Sequence, residues 1–460
     1  MKKKLGFYSI ILLTINSIIG TGIFLSPGSV VAKSGDKALI VYIFAAIFAS
    51  VLAVTFASSA KYISSGGAAY AYTKEAFGDN AGYYVGITRY FAASIAWGVM
   101  GTAVVKTVLN IFELDSSNIG LITIGFLILM SLLFIINLLG TKVFEIINNL
   151  STAGKLAALV TTILVGFGII IFSGVNNISS ISNLVDSSGK ALGSNMDLSS
   201  WVMATIAAFY AFTGFESVAS GSEDMENPEK NLPRAIPIAI GIIALIYIGI
   251  VAVAIIIDPK AIVESKEVVA LADVFKNPLI NRVIIIGALI SMFGINVAAS
   301  FHTPRILESM AKQKQVPDVF AKRTENGFPM LSFLLTIAIA IIIPLAFKFD
   351  MTSIMIISSI SRFVQFLIVP LALITFYLGK ERGKVNINVN KSMFLDAIIP
   401  VIAIIFTLLL LIKFDWVGQF TIKDTDGNST TNIFAIISML IGYVFLPLVL
   451  MAWKKMRLSK

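Results

Sequence analysis

Apolar runs of about twenty residues recur along almost the whole chain. A helix of about 20 residues is what is needed to cross the roughly 30 Å hydrocarbon core of a bilayer. Of the 460 residues, 57% are hydrophobic and only 13% are charged, whereas soluble domains carry about 25% charged residues. Such a chain needs lipid as its solvent, and we therefore predict an all-α membrane protein.

The apolar runs predict twelve transmembrane helices joined by short polar loops, with no segment long enough to form a soluble domain. Lysine and arginine are concentrated in the loops on the side of the two termini, and the opposite loops are richer in acidic residues. We therefore expect a multi-pass protein of the cell membrane with both termini in the cytoplasm. The predicted spans are 6–32, 38–62, 83–110, 119–139, 146–173, 200–222, 235–257, 281–308, 330–347, 352–378, 394–413 and 431–453.

Residues that carry enzymatic chemistry are scarce in this chain. It contains no cysteine and a single histidine, His302, which excludes disulfide bonds, zinc thiolate sites and cysteine nucleophiles. An enzyme within the membrane needs a positioned base, metal ligands or a nucleophile pair. We therefore expect no enzyme, no metal and no other cofactor, and an intramembrane enzyme is the most distant of the alternatives.

Two of the predicted helices carry glycine near their middle. Gly20 and Gly22 lie in the first helix, and Gly214 lies in the sixth, just before the carboxylate of Glu216. Glycine weakens a helix by about 1 kcal/mol relative to alanine and adopts backbone angles that other residues avoid. Either group alone is also compatible with close packing of small residues. Two interrupted helices five spans apart, however, predict an inverted-repeat transporter.

The two interruptions also indicate a class of substrate. An interrupted helix exposes amide N–H groups at its new N-terminus, which favour a carboxylate, and carbonyl groups at its new C-terminus, which favour an ammonium. A free α-amino acid carries both of these groups close together. The paired interruptions therefore favour an α-amino acid.

Four segments together resemble the amino acid–polyamine–organocation superfamily. The resemblance implies a leucine-transporter-like fold of two inverted five-helix repeats, in which helices 1 and 6 are broken. It implies a transport core at 1–378, with repeats at about 6–173 and 200–378, followed by two additional C-terminal helices and a cytoplasmic tail at 379–460. The four segments are Ile19–Phe24, Phe212–Ser217, Glu226–Arg234 and Ser300–Pro317.

The same resemblance implies roles for the residues of the substrate site. The amides of Thr21 and Gly22 would hold the substrate carboxylate, and carbonyl groups in both interruptions would hold its amino group. Tyr210 or Phe212 would close the site from the outside. The carbonyl groups are those of Ile18, Tyr210 and Thr213, and the full set of expected contacts is Ile18, Gly20, Thr21, Gly22, Ile23, Tyr210, Phe212, Thr213 and Gly214.

Three charged residues within the predicted helices are candidates for coupling or selectivity. Lys155 matches a fifth-helix lysine of sodium-independent relatives, whose ammonium occupies the space that sodium fills elsewhere; snorkelling to the surface is the alternative. Glu216 lies deep enough to require protonation or a partner, and its family counterparts are linked to proton sensing. Arg362 is open to three interpretations: a pair with Glu216, which we favour, a water-filled vestibule, or an anionic group of the substrate.

These features predict a sodium-independent secondary transporter of small α-amino acids that works by alternating access, as a proton symporter or as an exchanger. The alternative is a precursor–product antiporter that exchanges an amino acid for its decarboxylated amine or a polyamine. The expected partners are the amino acid, the lipid bilayer and protons, without nucleic acid. The sequence indicates no oligomeric state.

Overall fold

The computed structural model describes residues 6–63, 68–139, 141–185, 191–193, 196–219, 225–264, 270–325, 327–386, 388–423 and 429–458. The lysines at positions 2–4 and 460, which count among the expected cytoplasmic charges, lie outside these ranges. In the described part, nearly all regular structure is helical, as a lipid-spanning chain requires, because a helix satisfies its backbone groups internally.

The first half of the described chain contains α1 (Phe7–Ile18), α2 (Gly22–Ser34), α3 (Ala38–Tyr62), α4 (Ala69–Phe77), α5 (Asp79–Ile111), α6 (Ile119–Leu138), α7 (Thr141–Ser173), α8 (Leu198–Phe209), α9 (Phe215–Val218) and α10 (Pro228–Ile257). The second half contains α11 (Pro259–Glu264), α12 (Ala270–Asp273), α13 (Pro278–Lys312), α14 (Met330–Ala346), α15 (Met351–Ile360), α16 (Phe363–Tyr377), α17 (Ile399–Lys413), α18 (Trp416–Gln419), α19 (Ile433–Leu440) and α20 (Leu446–Leu458). A small antiparallel sheet pairs β1 (Thr421–Lys423) with β2 (Ser429–Thr431).

Ten helical segments in the described ranges are long and apolar enough to cross a membrane. The helices α1 and α14 are apolar but shorter. Each predicted span overlaps a helix: α3 has the predicted bounds, whereas α10 begins at Pro228 and α7 at Thr141, several residues before the predicted starts. The protein is therefore a multi-pass helical membrane protein.

Helix packing brings the ends of several short helices together inside the bundle. The helix α8 packs on α2, α3 and α15, while α10 packs along α3 and α1, and α13 packs against α5 and α7. Aromatic rings fill the space between α3, α8 and α16: Phe48 contacts Phe209, and Phe366 contacts both Phe56 and Phe209. The start of α2 lies beside the end of α8, and the end of α1 lies next to it in the chain.

The helix that follows residue 378 is attached firmly to the preceding helices. Asp396 is fully buried and forms an ion pair with Lys61 at the end of α3. Its other carboxylate oxygen accepts hydrogen bonds from the Tyr62 hydroxyl at 3.0 Å and from the Ser392 amide at 2.9 Å. A buried carboxylate requires such partners, and here they connect the C-terminal part of the chain to α3.

Candidate functional site

The first interruption separates α1 from α2. The helix α1 ends at Ile18, Ile19 is extended (φ −71°, ψ 93°), and α2 begins at Gly22. Within the described chain, the amides of Thr21 and Gly22 donate to no other group. The first amides of a helix have no partner inside it, so these two N–H groups are available to an anion at the positive end of α2.

Two further predicted contacts lie next to these amides. The Gly20 carbonyl accepts a hydrogen bond of 3.4 Å from the Ser291 hydroxyl on α13, and a Cβ at Gly20 would lie 3.2 Å from Ile295. Ile23 is fully buried. The helix α13 thus forms one wall of the first interruption.

Lys155 lies on α7, with 1% of its surface exposed. Its ammonium donates to the Ile19 carbonyl at 2.6 Å and to the Asn16 carbonyl at 3.2 Å. Because these carbonyls belong to the end of α1, the positive charge lies at the negative end of that helix. This position is incompatible with snorkelling to the surface.

The second interruption separates α8 from α9. After α8 ends at Phe209, residues 210–212 form a 3₁₀ turn, Thr213 is extended and Gly214 has φ 121°. Glycine reaches this angle without a steric penalty, and other residues do not. The helix α9 then begins at Phe215, so the break lies at the glycine and not after it.

Two of the three carbonyl groups predicted to hold an ammonium are open. The carbonyls of Ile18 and Thr213 accept no hydrogen bond from the described residues. The Tyr210 carbonyl, by contrast, accepts from the Thr213 amide at 3.3 Å and from the Thr213 hydroxyl at 2.8 Å. These two bonds occupy both of its lone pairs, so this oxygen is not available to an ammonium in the present conformation.

The two interruptions touch each other directly. A Cβ at Gly22 would lie 2.5 Å from the Cα of Ala211, and a Cβ at Gly214 would lie 2.2 Å from the carbonyl oxygen of Ser17. Both distances are far below van der Waals contact. The glycines therefore permit the backbones to approach closely.

The two aromatic residues proposed to close the site differ in their contacts. The Tyr210 hydroxyl lies 3.2 Å from the Thr21 hydroxyl and connects the two interruptions. The Phe212 ring instead packs edge-on against Tyr247 on α10, with 5.0 Å between the ring centroids. Tyr210 is therefore the one that contacts the first interruption.

We expect Gly22→Ala to lower the stability of the protein, because its methyl group would overlap the backbone of Ala211. Overpacking of this kind costs about 1–3 kcal/mol. Thermal unfolding of the purified protein in detergent measures the effect. Gly168→Ala is the matched control, because a Cβ there meets no atom within 4 Å. Equal melting temperatures for the two variants would contradict the close approach.

A buried ion pair lies beside the second interruption. One oxygen of the Glu216 carboxylate accepts from the Gly214 amide at 2.9 Å, and the other lies 3.1 Å from Nε of Arg362. Arg362 also donates to the carbonyl and the hydroxyl of Ser358, at 3.0 and 3.2 Å. Glu216 is 3% exposed and Arg362 8%. Of the three interpretations of Arg362, the structure contains the pair with Glu216.

Arg362 lies in a third interruption, which the sequence did not predict. The helix α15 ends at Ile360 and α16 begins at Phe363. We call residues 361–362 the α15–α16 joint. No glycine or proline marks it, and the local signal is a cluster of polar residues in a largely apolar run: Ser358, Ser359, Ser361 and Arg362.

A second buried guanidinium adjoins this pair. Arg89 on α5 donates to the side-chain oxygen of Gln365 at 2.7 Å and lies 3.5 Å from the Glu216 carbonyl. No motif marks either residue, although both are polar side chains within apolar helices. The second interruption is thus surrounded by α5, α15 and α16.

Interrupted helices that meet inside a multi-pass membrane protein, with free backbone groups and buried charges at the meeting point, are typical of secondary transporters. Comparisons with known proteins agree with this class. The family model described as "Amino acid permease" matches residues 5–447. The chain belongs to this amino acid permease family, in agreement with the resemblance to the amino acid–polyamine–organocation superfamily.

Individual relatives extend the similarity over most of the chain. An uncharacterized transporter of Mycobacterium tuberculosis (strain CDC 1551 / Oshkosh) is 39% identical over 455 residues, which cover 96% of this chain and 93% of the relative. The serine/threonine exchanger SteT of Bacillus subtilis is 28% identical, with 97% and 96% covered. The histidine permease HisP of Lactococcus lactis is 25% identical, with 74% and 72% covered.

Proposed function

We propose that the protein carries small α-amino acids across the cell membrane by alternating access, without sodium, as a proton symporter or an exchanger. One observation carries this proposal. The unpartnered amides of Thr21 and Gly22 lie at an interruption that touches the other one, and the carbonyls of Ile18 and Thr213 are open there. These opposite partial charges suit the carboxylate and the ammonium of one zwitterion.

Lys155 supports sodium independence. The carbonyls at the end of α1 attract a cation, and the ammonium of Lys155 already contacts two of them. A covalently attached positive charge in this position removes the need for a bound metal cation. Glu216 and Arg362 are then the charged residues closest to the second interruption and the candidates for coupling to protons.

We also propose the twelve-helix arrangement of two inverted repeats, at about 6–173 and 200–378, with both termini in the cytoplasm. In the described ranges, α1 and α2 together form one span, and α3 and α14 form one span each. The nine other long apolar segments bring the total to twelve. In this arrangement α1–α2 and α8–α9 are the broken first and sixth helices. Residues 379–460 then supply the two additional helices.

The relatives indicate which substrates to test first. The similarity to an exchanger named for serine and threonine extends over nearly the whole chain, so these two amino acids are the first choice. The amine-exchange alternative requires an acidic group for a second ammonium. Glu216 is already engaged by Arg362 and the Gly214 amide, which favours zwitterions over amines.

Counterflow in proteoliposomes tests this proposal. The purified protein is reconstituted with an excess of internal unlabelled serine or threonine, and uptake of external labelled amino acid is followed. We expect accumulation that is equal in sodium and choline buffers. All twenty amino acids, their amides and esters, and common amines are then used as competitors, and the modified carboxylates should compete poorly.

Protein-free liposomes are the control for leakage. A several-fold stimulation by sodium would contradict the proposed role of Lys155. Equal competition by the decarboxylated amine would replace the zwitterion proposal with amine exchange. Absence of counterflow with any amino acid or amine would contradict the transport function itself.

A further inference from the structure

The second of the two C-terminal membrane helices has an irregular turn at its centre. The helices α19 and α20 are joined by a π-helical turn, Ile441–Phe445. Single π turns within α-helical segments are rare and frequently lie at functional sites. This turn packs against α5, the helix that carries Arg89.

Close packing fixes the position of the turn on α5. A Cβ at Gly442 would lie 2.0 Å from the ring of Phe91, so a larger residue would push the turn away. The Tyr443 ring packs edge-on against the same phenylalanine, with 5.5 Å between the centroids and 88° between the planes. The tyrosine ring is therefore held against α5.

The Tyr443 hydroxyl reaches the third interruption. It donates a hydrogen bond of 2.5 Å to the carbonyl of Ser361, in the α15–α16 joint. A carbonyl at a helix end lacks its usual partner four residues on, and within the described chain the Tyr443 hydroxyl is the only donor to this one. The next residue is Arg362, whose guanidinium contacts Glu216.

We propose that Tyr443 is a positioning residue for the substrate site. By holding the Ser361 carbonyl, it fixes the joint from which Arg362 reaches Glu216, and Glu216 holds the Gly214 amide at the second interruption. The last membrane helix is therefore part of the transport machinery and not an addition outside it. This inference rests on the proposed function, because it takes the interruptions as the place where substrate binds.

A simple attachment of α20 to α5 is the competing explanation, and the chain supplies a matched control for it. The Tyr83 hydroxyl on α5 donates to the Pro447 carbonyl on α20 at 3.2 Å. This bond is of the same type and holds the same C-terminal membrane helix, but it ends on α5 and does not involve the α15–α16 joint. Tyr83→Phe therefore removes a bond between this helix and α5 alone, whereas Tyr443→Phe removes the bond to the joint and keeps the aromatic ring that packs on Phe91.

The first test compares transport kinetics of these two variants in proteoliposomes. We expect Tyr443→Phe to raise the apparent KM for the transported amino acid about fivefold, as the loss of one neutral hydrogen bond implies. Tyr83→Phe should stay within about twofold of the unmodified protein. Melting temperatures of the two variants should be similar, because each loses one comparable bond. Equal KM values for both variants would overturn the proposal.

The second test measures chemical labelling and needs no substrate. Because the natural chain contains no cysteine, a single introduced cysteine is the only thiol that can react. A single Ser361→Cys substitution, at a position 3% exposed, is alkylated by a small maleimide in otherwise unmodified protein and in the two tyrosine variants. We expect Tyr443→Phe to accelerate alkylation several-fold and Tyr83→Phe to leave it unchanged.

The two readouts separate the inference from the function on which it rests. Faster alkylation in a protein that transports no amino acid would support the positioning of the joint by Tyr443 and contradict the proposed function. Unchanged alkylation in a protein that does transport amino acids would overturn the inference and leave the function standing.

Discussion

Replacement of Lys155 by methionine is expected to reduce transport by at least about a hundredfold. The methionine fills a similar volume but leaves the carbonyls of Ile19 and Asn16 without the donor that now contacts them. A hydrogen bond from a charged donor contributes about 1.5–3 kcal/mol, and the loss of two such bonds accounts for an effect of this size. The end of α1 would no longer be held where the amides of Thr21 and Gly22 face the site.

Initial rates of uptake into proteoliposomes and melting temperatures in detergent measure this effect together. Lys106→Met is a matched control, because Lys106 is a half-buried lysine in the membrane helix α5 and lies outside the candidate site. It should stay within about twofold of the unmodified protein in both measurements. Normal uptake and stability of the Lys155 variant would contradict any role of its ammonium at the first interruption.

The depth of Lys155 illustrates what sequence alone leaves open. The resemblance implied a functional lysine at this position, but snorkelling remained an alternative because the predicted fifth span began at residue 146. The helix α7 begins earlier, at Thr141, and its packing against α13 sets its rotation. Depth and rotation depend on neighbouring helices, which local hydropathy does not encode.

The positions of the apolar helices, by contrast, were predictable because length and hydropathy in a bilayer are local properties. The bounds of α3 and the presence of glycine beside the first two interruptions were both readable from the sequence. The engagement of the Tyr210 carbonyl by Thr213 was not predictable, since it depends on a 3₁₀ turn and on one side-chain rotamer.

The α15–α16 joint was missed for a different physical reason. No residue in it disfavours a helix strongly, as glycine or proline would. The contacts of the joint are tertiary: Arg362 extends to Glu216, and the Ser361 carbonyl accepts from Tyr443. The pair of Arg362 with Glu216 was among the sequence interpretations, but the broken helix that presents Arg362 follows from partners far away in the chain.

Arg362→Ala is expected to destabilise the protein by about 3–5 kcal/mol, the cost of leaving one member of a buried ion pair without its partner. The Glu216 carboxylate would keep the Gly214 amide at 2.9 Å and lose its positive partner at 3.1 Å. Melting temperature and transport rate should both fall. The double variant Arg362→Ala with Glu216→Gln should recover part of the loss, because the carboxylate charge that Arg362 neutralised is gone and glutamine still accepts from Gly214.

The substrate panel distinguishes this ion pair from recognition of an acidic substrate. If Arg362 bound a side-chain carboxylate of the substrate, Arg362→Ala would fold normally, lose aspartate or glutamate transport and retain neutral amino acids. The structure favours the first outcome, because the guanidinium already contacts Glu216 and Ser358. Partial recovery of the melting temperature in the double variant distinguishes the two cases. If Arg362 only bound the substrate, the additional Glu216→Gln substitution would not restore stability. A stable Arg362→Ala protein with unchanged kinetics and selectivity would contradict both interpretations and place Arg362 in a water-filled vestibule.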